Sequence, residues 1–347
     1  MSIVPRSSLR VRLIFLLGIT AAALATAEVG LRALGVPAEW DFRRPNTSKN
    51  WETGVHEASP MPGLAYELRP GVDVEAVGIH IRTNALGLRG PEVSEAKPAG
   101  VRRVLAVGDS ITFGFGVEED QAYPRVLEGL LRAEGRRVEV LNLGVAAYNL
   151  NEDTARLLSR GGPLQPDLVV VQYFLNDPDL DPFDPLHAYF LAPRWWMRSN
   201  LLRLVHKTWW RFELRRWGGN DYYRYLHARP ENWRAVTDDL RRMAAWAHSE
   251  RVPPVLVIFP LLSAPGWPAY PYQDLHDQVA AAARAEGFAV LDLAPVFAAY
   301  PQSAMLSPVD RFHPSALAHR IAARSLRDFL VRTALERMGP AADPGSN

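Results

Sequence analysis

Five short runs of β-forming apolar residues, each followed by a segment with helical periodicity, constrain this chain more than any other feature. The runs are Arg103–Val107, Val138–Leu143, Leu168–Phe174, Val255–Phe259 and Ala289–Leu293, and the helical segments are Pro124–Glu134, Asn151–Ser159, Trp233–Ser249, Leu275–Glu286 and Ala316–Arg337. Strands separated by helices cannot pair as tight hairpins, so the pattern predicts a parallel sheet with helices on both faces. In open sheets of this kind ligands sit beyond the carboxyl ends of the strands. The residues just after each run are therefore where chemistry is to be sought.

Composition narrows the class. At 347 residues the chain is long enough for one large domain or two small ones, and 48% apolar with 22% charged residues describes a globular protein. A formal net charge of +1 leaves no electrostatic footprint for nucleic acid. There is no cysteine, which excludes disulfides, thiolate metal sites, a cysteine nucleophile and a lipid-modified N-terminal cysteine. No grouping of His, Asp and Glu has the spacing of a metal site, and neither a metal nor a cofactor is expected.

Residues 1–35 read as a targeting segment. Arg6, Arg10 and Arg12 precede an apolar stretch from Leu13 to Ala27. Ala25-Thr26-Ala27 has the small-x-small form of a signal-peptidase site, which would release a secreted protein. If the helix instead continues through Leu34, it reaches the ~20 residues that span a bilayer, with Glu28 and Arg32 paired one turn apart near the outer interface. The anchor is the preferred reading, with the arginines inside and the rest of the chain outside.

Residues 36–100 are rich in Pro, Gly and polar groups and read as a tether that folds onto the main domain, with a hairpin from Val72–Ala76 and Gly78–Arg82. The main domain is expected over 101–337, followed by a frayed tail at 338–347. An insertion at about 180–230 breaks the alternation. It is dense in aromatics and arginine, among them Trp195, Trp196, Trp209, Trp210, Tyr222, Tyr223, Arg203, Arg211, Arg215 and Arg216. A lid or a surface resting on the membrane would make this functional, while a helical insertion with its own small core is the plainer expectation.

The first run ends at Gly108-Asp109-Ser110, placing the Ser110 hydroxyl at the sheet edge. Near the other end of the chain, Asp310-Arg311-Phe312-His313-Pro314-Ser315 sets a carboxylate and an imidazole three residues apart before the last helix. Pro314 disfavours helix at His313, and Ser315 is a natural N-cap. A carboxylate on one ring nitrogen fixes the tautomer while the other nitrogen takes a serine proton. For an oxyanion hole the candidates are the backbone N–H groups of Ser110 and Gly144 and the side-chain amide of Asn176, which follow three adjacent runs. The remaining histidines, His319 included, have no evident partner at a strand end.

Gly108-Asp109-Ser110, Gly144, Asn176-Asp177 and Asp310-x-x-His313-Pro314 occur in the order of the sequence blocks of the SGNH hydrolases, also called GDSL esterases or lipases, and the chain resembles that family over about 101–335. Asn84-x-x-Gly87-x-Arg89-Gly90 ahead of the serine is similar to membrane-anchored bacterial members. The resemblance implies a three-layer flavodoxin-like α/β fold, Ser110 as nucleophile, His313 as base and Asp310 as its partner, with Ser110, Gly144 and Asn176 as oxyanion donors. One departure is Phe174, where many members carry glycine.

The expectation is an extracytoplasmic serine esterase on a single-pass helix in a bacterial inner membrane, hydrolysing acyl esters, whether small esters, lipids or acylated glycans, through an acyl-enzyme. An O-acyltransferase acting on envelope glycans shares every one of these residues, because the two differ only in whether water or a sugar hydroxyl reaches the intermediate. A non-catalytic glycan-binding module is the reading from another class.

Overall fold

The computed structural model describes residues 9–36, 54–76, 78–180, 185–191 and 194–335. The expected tail, Arg337, Arg6 and residues 37–53 of the expected tether lie outside them. Nine strands are described: β1 (His56–Ala58), β2 (Tyr66–Leu68), β3 (Asp73–Ala76), β4 (Ile79–Arg82), β5 (Arg102–Val107), β6 (Val138–Asn142), β7 (Leu168–Tyr173), β8 (Pro254–Ile258) and β9 (Ala289–Asp292).

The last five form one sheet in the order β6-β5-β7-β8-β9, every pair parallel. Renumbered within the sheet this is 2-1-3-4-5, the flavodoxin-like order, and its switch point lies between β5 and β7. Each strand lies within one residue of its expected run, because buried strands must be continuously apolar and helices intervene. The two faces alternate along β5. Val104 and Ala106 pack with Leu127, Leu131, Ala322 and Leu326 of the Tyr123–Ala133 and Ala316–Leu330 helices. Leu105 and Val107 pack with Leu157, Val236, Leu240 and Met243 of the Leu150–Arg160 and Pro230–Glu250 helices. Each such fully buried Leu or Val contributes about 1.5–3 kcal/mol, and together they make the three layers.

The last helix is shorter than its pattern. It ends at Leu330, and a wider π turn, Val331–Leu335, follows. Thr333 there donates its hydroxyl to the Phe329 carbonyl at 2.7 Å, competing with the backbone ladder.

The segment before the sheet is integrated with it. β3 and β4 form the expected antiparallel hairpin, and β1 and β2 form a second that the sequence reading did not include. Tyr66, Leu68, Ile81 and Val72 share a core with Phe113, Val145 and Tyr148. Tyr66 donates its hydroxyl to the Ala146 carbonyl at 2.9 Å, and Tyr148 returns a bond to the Tyr66 carbonyl.

The N-terminal helix runs over Leu9–Ala33, 25 residues with mean hydropathy 1.9 in its most apolar window. At 1.5 Å per residue it is about 37 Å long, enough for a hydrocarbon core of about 30 Å. Arg32 and Glu28 pair at 2.5 Å near its end. The insertion comprises helices Pro185–Phe190, Asn200–Gly218 and Tyr222–Ala228 and a 3₁₀ turn, Trp195–Arg198. Its aromatics do not form one small core: Tyr225 is buried, whereas Trp209 and Phe212 are more than half exposed.

Candidate active site

β5 delivers the serine. Its last residue, Val107, leads through Gly108 into a single helical turn, Ser110–Phe113, capped by Asp109, whose carboxylate accepts the Ile111 N–H at 2.8 Å. Gly108 is required by crowding: a Cβ there would lie 2.4 Å from both Gln172 Oε1 and Thr112 Oγ1. Those two side chains bond each other at 3.0 Å, and Gln172 Oε1 also accepts the Asp109 N–H. Gln172 sits on β7, so the neighbouring strand holds the serine turn from the side.

His313 reaches Ser110 from 203 positions away in the chain; its Nε2 lies 2.8 Å from Ser110 Oγ. Its Nδ1 lies 2.5 Å from Asp310 Oδ2, which assigns the Nδ1–H to the carboxylate and leaves Nε2 as acceptor for the serine proton. The other carboxylate oxygen of Asp310 accepts the N–H groups of Phe312 and His313 at 2.9 and 3.1 Å, tightening the turn between the two. Arg311 takes a left-handed φ of 56° to close it. A Leu306–Pro314 bridge and the Ser307 N–H bond to the His313 carbonyl at 2.8 Å tie the loop to its own start. Phe115 covers the imidazole face at 4.6 Å. Burial alone would raise the Asp310 carboxyl, but the His313 bond and charge and the two backbone donors hold it down to about 2.

The oxyanion candidates divide. Ser110 and Asn176 both line the cleft, on either side of the β5–β7 switch point. Asn176 has its Oδ1 buried without a donor. Gly144 sits in the loop after β6, against the serine turn. Its N–H donates to Asn142 Oδ1 at 2.9 Å. A Cβ on it would fall 2.2 Å from the Phe113 nitrogen, so this glycine lets the β6 loop pass against the serine helix. The signal was present in the sequence, because an Asn side chain commonly bonds the backbone two residues on.

The cleft encloses about 270 Å³ including its mouth, between Asp109–Ile111, Phe174, Asn176, Pro260, Leu262 and Phe312–Pro314. Phe174 fills the place of the expected glycine, its ring edge-on to Phe312 at 5.9 Å and to Tyr223 at 6.4 Å. Among the described residues no group of three or more His, Asp or Glu is placed to hold a metal ion.

Two features escaped the sequence reading. Arg89, 1% exposed, donates to the carbonyls of Phe113, Gly114 and Val117 at 2.7, 2.6 and 2.8 Å, closing the C-terminal end of the serine helix. Nothing local marks such a role. Beneath the turn lie three buried carboxyls, Asp109, Asp153 and Asp177. Burial first, then one another's charge, pushes Asp153 and Asp177 well above the usual carboxylate range, and burial lifts Asp109 to about 6. His319, buried in the last helix, accepts the Tyr123 N–H at 3.2 Å; burial drops it to about 3, so it stays neutral and structural.

A strand-end hydroxyl bonded to a carboxylate-oriented imidazole, on a flavodoxin-like sheet, is the arrangement of a serine hydrolase. The chain belongs to the GDSL-like lipase/acylhydrolase family, whose model matches residues 106–321, and is thus an ester-acting serine hydrolase. No curated protein sequence matches it. Similar solved structures include TesA, at 20% identity over 66% of this chain and 98% of that one with a TM-score of 0.43. The lipase/acylhydrolase from Enterococcus faecalis is 18% identical over 66% and 95%, with a TM-score of 0.44. A catalytic mutant of an acetylxylan esterase from Geobacillus stearothermophilus is 18% identical over 68% and 96%, with a TM-score of 0.44.

Proposed function

We propose that this protein is a membrane-anchored, extracytoplasmic esterase that cleaves acyl esters through an acyl-enzyme on Ser110. The observation that carries this reading is the continuous relay from Asp310 through His313 to Ser110, at 2.5 and 2.8 Å. His313 takes the Ser110 proton as Oγ attacks the acyl carbonyl, then returns it to the leaving alcohol. Water, activated by the same imidazole, releases the acyl group. Asp310 stays ionised and stabilises the imidazolium formed in each half-reaction. The Ser110 N–H and the Asn176 amide receive the developing oxyanion, with the Gly144 N–H committed elsewhere.

The anchor is supported by the length of the Leu9–Ala33 helix and by its unbroken course through Ala25–Ala27. Glu28, the residue that would follow a cleavage site, is engaged by the Ser199 hydroxyl and the N–H groups of Asn200 and Leu201. Basic residues ahead of the apolar stretch orient the body outward.

The test is hydrolysis of a chromogenic short-acyl ester by the full chain in detergent, with Ser110→Ala and His313→Ala beside it. Each variant is expected to lose at least about 10³-fold in kcat while keeping its thermal transition, and the double variant to be no worse than either single one. Hydrolysis at equal rates by all of them would overturn the mechanism. Sequencing the mature N-terminus tests the anchor; a chain beginning at Glu28 would overturn it.

A further inference from the structure

We propose that the outward face of the Asn200–Gly218 helix lies on the outer lipid surface of the membrane crossed by the Leu9–Ala33 helix, so that the chain meets the bilayer at two places. This rests on reading Leu9–Ala33 as an anchor. Leu202, Val205, Trp209 and Phe212 are 36, 57, 57 and 55% exposed. At 3.6 residues per turn they fall within an arc of about 80°. Arg203 and Lys207 on the opposite side are buried against the protein, so the stripe points away from it. Single exposed apolar side chains are ordinary on a soluble surface; four in helical register are not. Trp209 and Phe212 lie 5.8 Å apart and make one aromatic surface, with exposed Arg215 on its flank, exposed Arg211 on the far side and exposed Arg216 one turn beyond Phe212 at the end of the stripe. An aliphatic and aromatic stripe bordered and ended by arginines, whose long side chains reach the headgroups, is the pattern of a helix lying in the plane of a membrane interface.

Placement selects lipid over a protein partner. The Glu28 carboxylate accepts the N–H groups of Asn200 and Leu201 at 3.0 and 2.8 Å and the Ser199 hydroxyl at 2.8 Å. Arg32 donates to the Arg198 carbonyl at 2.8 Å, and Asn200 donates to the Val36 carbonyl at 3.0 Å. The first turn of the striped helix is thus fixed to the last two turns of the anchor. A Glu–Arg pair avoids the hydrocarbon centre, which puts this junction at the interface, the depth at which Trp side chains are enriched. The next helix, Tyr222–Ala228, sets Tyr223 against Phe174 of the cleft wall. One insertion therefore both touches lipid and bounds the site.

The chain has no cysteine, so single labels are unique. The full chain, carrying Leu17→Cys, Val205→Cys, Phe212→Cys, Arg211→Cys or Arg215→Cys with an environment-sensitive fluorophore, would be placed in phosphatidylcholine–phosphatidylglycerol vesicles containing brominated acyl chains. Labels at 17, 205 and 212 are expected to be quenched at least twofold more than those at 211 and 215. Quenching at 17 but not at 205 and 212 would overturn the lipid contact while leaving the anchor. No quenching at 17 would remove the anchor, and the proposal with it. Labels at 205 and 212 shielded from aqueous iodide yet untouched by brominated lipid would mean that protein covers the stripe, which also overturns the proposal.

Discussion

Arg89 and Phe113 are joined by a 2.7 Å bond from guanidinium to main-chain carbonyl, and the Arg89 guanidinium stacks 4.5 Å from the Phe113 ring. The segment ahead of the sheet thereby holds the far end of the helical turn that begins at Ser110. Burial lowers Arg89 only to about 10, so it keeps its charge where the carbonyls of a helix end accumulate negative potential. Arg89→Ala would strip the Val117 carbonyl of its donor and leave the Phe113 and Gly114 carbonyls with only the longer bonds from Asn142 and the Val117 N–H, at 3.4 and 3.3 Å, an expected loss of roughly 3 kcal/mol. Arg89→Lys restores the charge but not the fork and should recover only part. Urea denaturation measures the loss, and kcat on a short-acyl ester should fall in parallel.

Asn176→Ala and Gly144→Ala should fail in different ways. Asn176 offers an amide at the cleft, so its loss is expected to lower kcat by about 10²–10³ with little change in the thermal transition. A methyl at Gly144 would collide with the Phe113 backbone, so that variant should lose stability by about 1–3 kcal/mol and lose activity through displacement of the serine turn. Calorimetry beside kcat separates the two; an unchanged melting temperature for Gly144→Ala would contradict the packing role.

The buried carboxyls give stability a pH dependence of definite sign. Asp153 is fully buried, and neither of its oxygens has a hydrogen-bond partner. Its folded-state affinity for a proton is raised, so above the usual carboxylate range the folded chain holds more protons than the unfolded one, and stability falls as pH rises. Asp153→Asn removes that term. The variant should be more stable than wild type at pH 7, with the difference shrinking as pH falls towards about 4, below which both states are protonated. Thermal transitions between pH 3.5 and 8 would show the narrowing difference; a constant difference would refute it.

Asp310 has the opposite sign. Its carboxyl is held at about 2, so the stability it contributes is complete above its unfolded value near 3.8 and is lost as pH falls through 2. Stability curves of wild type and Asp310→Asn should run parallel above pH 4 and converge below it.

Phe174 narrows the cleft where a glycine was the family expectation. Phe174→Ala removes the ring packed on Phe312 and Tyr223. The octanoyl-to-acetyl ratio of kcat/KM is expected to rise by about 10–100-fold. The fold should lose about 3–5 kcal/mol for the deleted ring. An unchanged ratio in a folded variant would place the acyl group on another side of Ser110.

The sheet and the approach to the site could be read from local patterns. Continuous apolar runs from Arg103 to Leu293, separated by helices, admit a parallel sheet, and Gly108 before Asp109-Ser110 marks where the first strand must turn. Asx and capping chemistry is also local: Asp109 bonds the second residue after it, and Asn142 does the same to Gly144, which is why the Gly144 N–H is unavailable. Other relationships have no local sign. Arg89 found its carbonyls 24 to 28 positions on, and Asp109 and Asp177, which follow adjacent strands, meet Asp153 only because the Leu150–Arg160 helix packs over those strand ends.

By itself, then, the sequence determined strand and helix periods, turn chemistry and the residue types at the sheet edge, because these depend on neighbours within a few positions. Tertiary structure alone decided that His313 lies 2.8 Å from Ser110, that Gly144 packs against the Phe113 backbone, and that Leu202, Val205, Trp209 and Phe212 face outward beside the N-terminal helix. Those outcomes depend on which surfaces compete for burial and which donors are left unpaired once the layers close, and no stretch of chain carries that information on its own.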